Sequence, residues 1–287
     1  MNARQSRRGF IQSAGAAAAA LAAANGFEAA AGDAQSARPS KKTRRFQLAM
    51  ASYTLRKFPL DEALAMTVRA GLDRICFKSF HLPLGADSGQ IAEAVEKTKQ
   101  AGLALYGCGV VGMAKPEDVS QAFEYAKAAG MSVIVASPSI ELLPLLDEKV
   151  KEYDIRIAIH NHGPGDNKFP TPQSVYEKVE KLDGRIGLCI DIGHTARIGA
   201  DPIQSALDYS DRLHDVHIKD VSAAAASGKT VEIGRGVIDI PKFLETLVDI
   251  EYAGTCAFEY EKDQDDPLPG LSESVGYVKG ALAAMRV

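Results

Sequence analysis

Side chains that can bind a metal ion lie near the ends of four apolar runs in the second half of the 287-residue chain. They are His160, Asp191, His217 and Glu259, spaced 31, 26 and 42 residues apart. One histidine in an apolar run is usually a core residue, but four metal-capable groups on four consecutive runs favour a shared site. Two imidazoles and two carboxylates suit one divalent ion, Mn²⁺ by expectation and otherwise Zn²⁺, Co²⁺ or Fe²⁺, better than Ca²⁺ or Mg²⁺.

The first of these runs, RIAIHNHGPGD at residues 156–166, offers two histidines. On a strand, His160 and His162 point to the same side. We expect His160 to be the ligand, with His162, one step nearer the loop, as its rival. His162 and Glu259 are the main candidates for a general base. Lys219 would hold or protonate a substrate oxygen, and a solvated lysine at the rim is the competing interpretation.

These groups need a fold that brings the ends of distant strands together. From residue 46 onward, strand-like apolar runs alternate eight times with helical patterns of three- and four-residue spacing. This alternation predicts an α/β fold, a closed (β/α)8 TIM barrel formed as a single domain by residues 46–287. Catalytic groups of such barrels lie at the C-terminal ends of the strands or in the loops after them. The predicted strands cover residues 46–53, 74–80, 103–111, 131–137, 155–162, 186–191, 213–219 and 254–260.

The alternation of side chains along each strand gives a second indication of a site. The residues two positions before the expected ligands are Ala158, Cys189, Asp215 and Ala257, and they share the ligands' face. Three of them are small, which leaves room above them for a metal ion. Asp215 breaks the pattern, and we expect it to orient a neighbouring ligand. The chain's four cysteines fall in apolar runs without CxxC spacing, so we interpret them as small buried hydrophobes.

Composition limits the classes of partner. The chain is 46% hydrophobic and 24% charged, as in globular proteins, and its net charge is −4. Residues 1–31 carry +2, from three arginines and one glutamate, so the remainder carries −6. An acidic domain argues against a nucleic-acid partner. The apolar stretch near the N-terminus is too short to span a bilayer stably, so we expect no membrane anchor.

The first 31 residues are typical of an export signal. Arg7 and Arg8 precede Phe10, and an alanine-rich run leads to Ala29-x-Ala31, a plausible cleavage site. This pattern resembles a bacterial Tat signal peptide, with a flexible alanine-rich leader as the competing interpretation. Residues 32–45 then form a linker rich in Ser, Pro, Lys and Arg. The sequence predicts a periplasmic protein, exported by the Tat pathway.

Five short motifs, IHNHGP, CIDIGH, DVHIKD, VEIGRGVIDI and YAGTCAFEYE, follow one another within residues 46–285. Their order and spacing resemble the sugar phosphate isomerase/epimerase superfamily, the xylose isomerase-like barrels that include ketose 3-epimerases and inosose dehydratases. The resemblance implies one divalent metal ion held by strands five to eight, with Asp191, His217 and Glu259 among its ligands. It also implies that His194 and Arg235 contact the substrate.

The chain departs from that family at strand five, where His160 replaces the usual glutamate. In the epimerases, paired glutamates act on opposite faces of the carbon that exchanges its proton. The resemblance implies a metal-dependent isomerase or epimerase that acts on a keto-sugar or related polyol through an enediolate. The alternative is a lyase or dehydratase that performs β-elimination on a 3-keto-glycoside or inosose, which His160 and export both favour.

The second strand adds two candidate substrate contacts. CFKSFHLPL places Lys78 near the end of the strand and His81 just beyond it, where both would hold the far end of a carbohydrate substrate. A rim lysine and an ordinary loop histidine are the competing interpretation. Tyr53 and Arg56 after the first strand are weaker candidates.

Two other classes of protein share the expected architecture. An endonuclease IV-like DNA repair enzyme would need a richer ligand set and a basic groove, which six histidines and an acidic domain do not favour. A non-catalytic periplasmic sugar-binding protein would not need all four ligands. Barrels of this kind often form homo-oligomers, but no surface stripe in the sequence identifies an interface.

Overall fold

The computed structural model of the protein describes residues 43–285 and contains a closed barrel of parallel strands. The strands of this part of the chain are β1 (Gln47–Ala51), β2 (Arg74–Phe77), β3 (Ala104–Met113), β4 (Val133–Pro138), β5 (Arg156–His160), β6 (Ile186–Asp191), β7 (Leu213–Ile218), β8 (Asp220–Val221), β9 (Thr230–Val231) and β10 (Thr255–Phe258). Eight of them close the barrel in the order β1-β10-β7-β6-β5-β4-β3-β2, whereas β8 and β9 form a small antiparallel hairpin. The eight predicted strands coincide with the eight barrel strands, so the predicted TIM barrel is confirmed.

Helices connect the strands around the outside of the barrel. Within residues 43–285 they are α1 (Leu60–Arg69), α2 (Ser88–Gln100), α3 (Pro116–Ala128), α4 (Leu143–Tyr153), α5 (Pro172–Val179), α6 (Ile192–Arg197), α7 (Pro202–Asp208), α8 (Ile240–Asp249) and α9 (Leu268–Met285). Proline begins α3, α5 and α7, where its missing N–H costs no helical hydrogen bond. The sequence pattern did not indicate α6, a six-residue helix directly after β6.

Two apolar cores hold these layers together. The larger core packs the outward faces of the strands against the helices and includes the fully buried Phe46, Phe123 and Phe243. The smaller core fills the barrel interior with mostly small side chains: Ala49, Ala51, Cys76, Tyr106, Val133, Val135, Ala158, Cys189 and Ala257. The predicted small inward face is therefore confirmed for three of the four strands that carry the expected ligands. All four cysteines are buried and unpaired, as the sequence indicated.

Strand register sets the relative heights of the expected ligands. Asp191 on β6 is level with His217 on β7, and His217 is level with Ala257 on β10. Glu259 therefore lies one inward-facing step above His217. His160 on β5 is level with Cys189, one such step below Asp191. The ligands thus form a staggered ring at the C-terminal mouth of the barrel.

Asp215 is an acidic residue among the mostly small, apolar side chains of the barrel interior. It is fully buried below His217, and one carboxylate oxygen accepts a hydrogen bond from the backbone N–H of Val216 at 2.8 Å. Burial raises the pKa of Asp215 to about 7. The structure records no side-chain hydrogen bond from Asp215 to a ligand, so its orienting role stays a prediction.

The N-terminal assignments lie outside the described residues. This applies to the signal peptide at residues 1–31 and to all but the last three residues of the linker at 32–45. Within residues 43–285, no helix has the length and apolar character needed to cross a membrane.

Candidate metal centre

The four expected ligands converge at the mouth of the barrel. His160 Nε2 lies 3.1 Å from His217 Nδ1 and 3.3 Å from Asp191 Oδ2. His217 Nδ1 lies 3.3 Å from Glu259 Oε2. One ligand atom from each of the four buried residues falls within 4.8 Å of every other. Residues 99 positions apart along the chain are therefore brought together by the closure of the barrel.

Local hydrogen bonds fix the orientation of Asp191. One of its oxygens, Oδ1, accepts a hydrogen bond from the backbone N–H of His194 at 2.7 Å and so caps the N-terminus of α6. The other oxygen, Oδ2, is left facing the ligand cluster. The Asn161 side chain ties β5 to β6: its Oδ1 accepts from the Asp191 N–H at 3.0 Å, and its Nδ2 donates to Thr195 Oγ1 at 3.2 Å.

Lys219 joins three carboxylates beside the ligands. Its Nζ lies 2.8 Å from Asp191 Oδ2, 2.7 Å from Glu259 Oε2 and 2.6 Å from Glu261 Oε1. The lysine side chain is only 2% exposed. Gly193 makes room for it, because a Cβ there would lie 2.5 Å from Cγ of Lys219. Lys219 points inward as predicted, and the competing solvated lysine is wrong.

The protonation states suit a cation site. Burial lowers the pKa of His160 to about 3, so its imidazole is neutral at pH 7 and its nitrogen can bind a metal ion. Burial opposes ionisation of Asp191 and Glu259, but nearby positive groups, Lys219 above all for Glu259, hold both carboxyl pKa values well below their usual range. Burial opposes the charge on Lys219 as well, and its three carboxylate partners outweigh this and raise its pKa. The pKa of His217, by contrast, is raised, since neighbouring carboxylates outweigh burial, so a metal ion would compete with a proton at this ring.

This donor set fits a divalent cation. Ligand atoms about 2.1 Å from a shared ion lie about 3.0–3.4 Å from one another in tetrahedral or octahedral geometry, and the three contacts of 3.1–3.3 Å match that spacing. Asp191 Oδ2 is buried and accepts no well-aligned hydrogen bond, although the Lys219 ammonium is close. A carboxylate oxygen has more than one lone pair, so Oδ2 can bind a cation beside its ion pair with Lys219. Without the imidazoles, the site carries a net charge of −2, which a divalent ion would neutralise. The groups counted are the carboxylates of Asp191, Glu259 and Glu261 and the ammonium of Lys219.

A cavity of about 210 Å³ adjoins the cluster. Two of the four ligand residues, His160 and Glu259, line it directly. The remaining lining residues come from other strands and loops at the same mouth: Tyr53, Lys78, Val110, His162, His194 and Glu261. This volume accommodates a small molecule next to the ligands.

His162 stands beside the cluster rather than in it. Its ring centroid lies 4.5 Å from that of His160, and its Nδ1 lies 3.2 Å from Asp166 Oδ2. The Asp166 carboxylate is fixed in turn by the backbone N–H groups of Lys168 and Phe169, at 2.6 and 2.9 Å. Burial lowers the pKa of His162, so the imidazole is neutral at pH 7. Of the two histidines, only His160 belongs to the ligand cluster, although both line the cavity. This geometry agrees with the expectation that His160 rather than His162 is the ligand.

The predicted substrate contacts divide into two groups. His194 and Lys78 line the cavity as expected. Lys78 Nζ donates to the backbone carbonyl of Val110, and burial lowers its pKa. The structure does not bring His81 or Arg235 to the cavity.

Each of those two side chains has other partners. His81 is buried, and its ring nitrogens lie 2.9 Å from Ser52 Oγ and 3.1 Å from the Phe58 carbonyl oxygen, as expected of an ordinary structural histidine. Arg235 is exposed and forms a bidentate pair with Glu273 at 2.6 and 2.7 Å. Substrate contact by Arg235 stays a prediction that requires this pair to open.

Sequence reasoning missed two carboxylates and undervalued a tyrosine. Glu261 lines the cavity and pairs with Lys219. Its spacing of two residues from Glu259, just after β10, is the signal that could have found it. Asp166, four residues further along the chain, places its Oδ2 3.2 Å from His162 Nδ1. Tyr53, a weaker candidate from the sequence, lines the cavity.

Comparison with known proteins agrees with the barrel fold. The sequence profile of the family described as "Xylose isomerase-like TIM barrel" matches residues 17–281. The chain belongs to this family. Its members share the barrel architecture described above, so the fold and the family assignment support each other.

Similarity to individual proteins is more limited. The rhizopine catabolism protein MocC of Rhizobium meliloti is 28% identical over 151 residues, which cover 46% of this chain and 45% of that protein. Inosose dehydratase of Geobacillus kaustophilus (strain HTA426) is 25% identical over 147 residues, or 46% of each protein. The chain thus spans about half the length of the curated relatives it matches. The crystal structure of a D-tagatose 3-epimerase-like protein is 18% identical, has a TM-score of 0.69, and covers 84% of this chain and 98% of that one, which shows the fold alone.

Proposed function

We propose that this protein is a divalent-metal-dependent enzyme of the isomerase/epimerase type that forms an enediolate from a keto-sugar or related polyol. The observation that carries the proposal is that the four-ligand cluster opens into a cavity the size of a small molecule, with His160 and Glu259 belonging to both. Polar groups converging on one small cavity are typical of an active site.

A divalent ion held by His160, Asp191, His217 and Glu259 would polarise a substrate carbonyl and stabilise the negative charge that develops when the neighbouring C–H is deprotonated. Within the chain, Lys219 keeps the Asp191 and Glu259 carboxylates ionised and close together. Burial keeps His160 neutral, which preserves its nitrogen lone pair.

His162 is our candidate for the general base. Its imidazole lines the cavity, and because the Asp166 carboxylate lies 3.2 Å from Nδ1, we infer that Nε2 is the nitrogen that accepts the proton. The Asp166 carboxylate would stabilise the imidazolium that results. Glu259 is the second candidate base, and Lys219 with its partner Glu261 would supply a proton to a substrate oxygen.

A lyase or dehydratase that performs β-elimination is the second candidate function, and one observation favours it. The two carboxylates that line the cavity, Glu259 and Glu261, both follow β10, whereas the β5 side presents the imidazoles His160 and His162. Epimerisation by proton exchange on the two faces of one carbon would need carboxylates on opposite sides of the substrate. Among the described residues that line the cavity, carboxylates lie on the β10 side only. The inosose dehydratases among the relatives support a lyase or dehydratase acting on a 3-keto-glycoside or inosose.

The test is turnover by the Mn²⁺-loaded protein in D₂O, followed by NMR, with an inosose, a 3-keto-glucoside and a set of ketohexoses. An unsaturated product supports elimination, whereas deuterium in recovered or isomerised sugar supports the isomerase or epimerase. The Glu259→Gln variant controls for contaminating activities. The proposal is wrong if the metal-loaded protein gives neither deuterium exchange nor product with any of these compounds.

We also propose that the protein acts in the periplasm after Tat export. The support is the Arg7-Arg8 pair and the alanine-rich run that follows it. Replacing both arginines with lysine should retain the protein in the cytoplasmic fraction of an expressing bacterium. Unchanged export of that variant would contradict the assignment.

A further inference from the structure

The mouth of the barrel has two chemically different sides. On the side of β5, β6, β7 and β10, the cavity is bordered by histidines and carboxylates. On the side of β1, β2 and β3, it is bordered by Tyr53, Val110 and Lys78, whose ammonium donates to the Val110 carbonyl. A substrate that is polar throughout would make few apolar contacts with this second side.

A second pocket, whose lining side chains are mostly apolar, adjoins the cavity on the β2–β3 side. We call it the side pocket; it has a volume of about 160 Å³ and shares two lining residues, Lys78 and Val110, with the main cavity. Its other walls include the apolar side chains of Phe77, Leu82, Leu84 and Val111.

The polar side chains that reach the side pocket are already engaged. Tyr125 donates its hydroxyl hydrogen to the Leu82 carbonyl at 3.1 Å, and Lys78 donates to the Val110 carbonyl. Ser79 lies at the exposed edge. The buried side chains of the side pocket therefore offer few free partners to a sugar hydroxyl, and a buried hydroxyl without a partner is costly. Its size is close to the roughly 150 Å³ of an apolar cavity that accepts benzene.

An exposed aromatic side chain stands at the same edge of the mouth. Phe80, three residues after the end of β2, is 51% exposed, and its ring centroid lies 5.9 Å from that of Tyr53 in the main cavity. The pair is held in place from behind: Phe80 packs edge-on against the buried ring of His81, and the Arg56 guanidinium covers Tyr53 at 4.5 Å. An exposed aromatic ring fixed beside a cavity marks a recognition surface.

We propose that this apolar side of the mouth binds an aromatic aglycone, so that the substrate is an aryl glycoside whose sugar ring faces the ligand cluster. The proposal rests on the proposed function and names its substrate class. Tyr53 and Phe80 would contact the face of the aglycone ring, and the side pocket would receive its edge. The polar sugar and the apolar aglycone would then each meet the matching side of the mouth.

The test compares two non-reacting probes, 4-nitrophenyl β-D-glucoside and methyl β-D-glucoside, by calorimetric titration of the Mn²⁺-loaded protein. We expect the aryl glucoside to bind about tenfold more tightly, as one aromatic contact and its buried area would give. Phe80→Ala removes the exposed ring. Gly112→Leu adds a bulky side chain to the wall of the side pocket, where a Cβ at position 112 meets no atom within 4 Å. Val68→Ala, a truncation of another exposed apolar side chain on α1, is the matched control.

The proposal holds if the aryl preference disappears in Phe80→Ala or Gly112→Leu and persists in Val68→Ala. Equal affinity for the two glucosides, no measurable binding of the aryl glucoside, or a preference unchanged in both site variants would overturn it. Because the probes bind without reacting, these results are independent of the D₂O experiment. A protein that prefers aryl glucosides but shows no turnover would refute the proposed function and leave the binding inference standing.

Discussion

Replacing Lys219 with methionine should destabilise the metal-free protein strongly. The lysine ammonium lies within 2.8 Å of oxygens from Asp191, Glu259 and Glu261. Asp191 is fully buried and the Glu259 side chain is 9% exposed, whereas Glu261 is 32% exposed. Methionine keeps most of the volume of the side chain but removes the charge. The variant therefore leaves two buried carboxylates without their main compensating cation.

The size of the effect follows from that burial. Removing one partner of a buried ion pair costs about 3–5 kcal/mol, because the remaining charge stays buried without compensation. We take the lower end, about 3 kcal/mol, since the partly exposed Glu261 can turn towards water. A domain of this size loses about 2–4 °C in Tm for each kcal/mol, so the expected decrease in Tm is about 6–12 °C.

The assay is thermal unfolding of chelator-treated protein, followed by circular dichroism, with and without added Mn²⁺. The control is Lys57→Met, which breaks an exposed pair with Asp265 and should change Tm by no more than about 2–4 °C. Mn²⁺ should raise the Tm of Lys219→Met more than that of the parent protein, since the variant's site carries one more uncompensated negative charge. If chelator-treated Lys219→Met unfolds within a degree or so of the parent, the electrostatic account of the site is wrong.

Three further predictions concern neighbouring features. His160→Ala should lower the metal content of protein purified without chelator at least tenfold, whereas His162→Ala should retain the metal and lose about 10²–10⁴-fold in kcat. Elemental analysis measures the first effect and steady-state kinetics the second. Equal metal loss in the two variants would contradict the assignment of His160 as ligand and His162 as base. Gly193→Ala should lower stability by about 1–3 kcal/mol in urea unfolding, because its Cβ would displace the Lys219 stem; an unaffected midpoint would refute this. The pKa of Glu232 is lowered from 4.5 to about 2 by its lysine partner, so its stabilising contribution is complete above about pH 4.5 and disappears as the pH falls towards 2. Glu232→Gln should therefore lower stability at pH 7 and flatten its loss between those pH values, and a parallel pH profile would show that the pair contributes nothing.

The sequence was sufficient to predict the barrel and the ligand cluster. Each barrel strand is an apolar run bounded by helical spacing, and this local pattern survives in the fold because the hydrophobic faces must be buried. Closure of the barrel then places the C-terminal ends of β5, β6, β7 and β10 at one mouth, whatever the details of side-chain packing. This is why His160, Asp191, His217 and Glu259 could be grouped from their places along four strands.

Residues whose partners come from loops were harder to predict. His81 and Arg235 follow patterns that fit substrate contacts, but their side chains pair with Ser52 and Glu273 instead. The path of a loop depends on many weak contacts with distant segments, and no short sequence pattern specifies it. The short helix α6 was missed for a related reason: its six residues are too few to show a helical period, and its N-terminus is capped by Asp191 itself.

By itself, the sequence determined which side chains of each strand point into the barrel and which metal-capable residues lie at the strand ends. Both follow from the alternation of side chains along a strand. Only the tertiary structure decided that one lysine, Lys219, joins the carboxylates of β6 and β10, and that an aromatic and apolar side faces the polar one across the mouth. These features depend on distances between atoms of segments far apart in the chain. Such distances are fixed when the barrel closes and its loops pack.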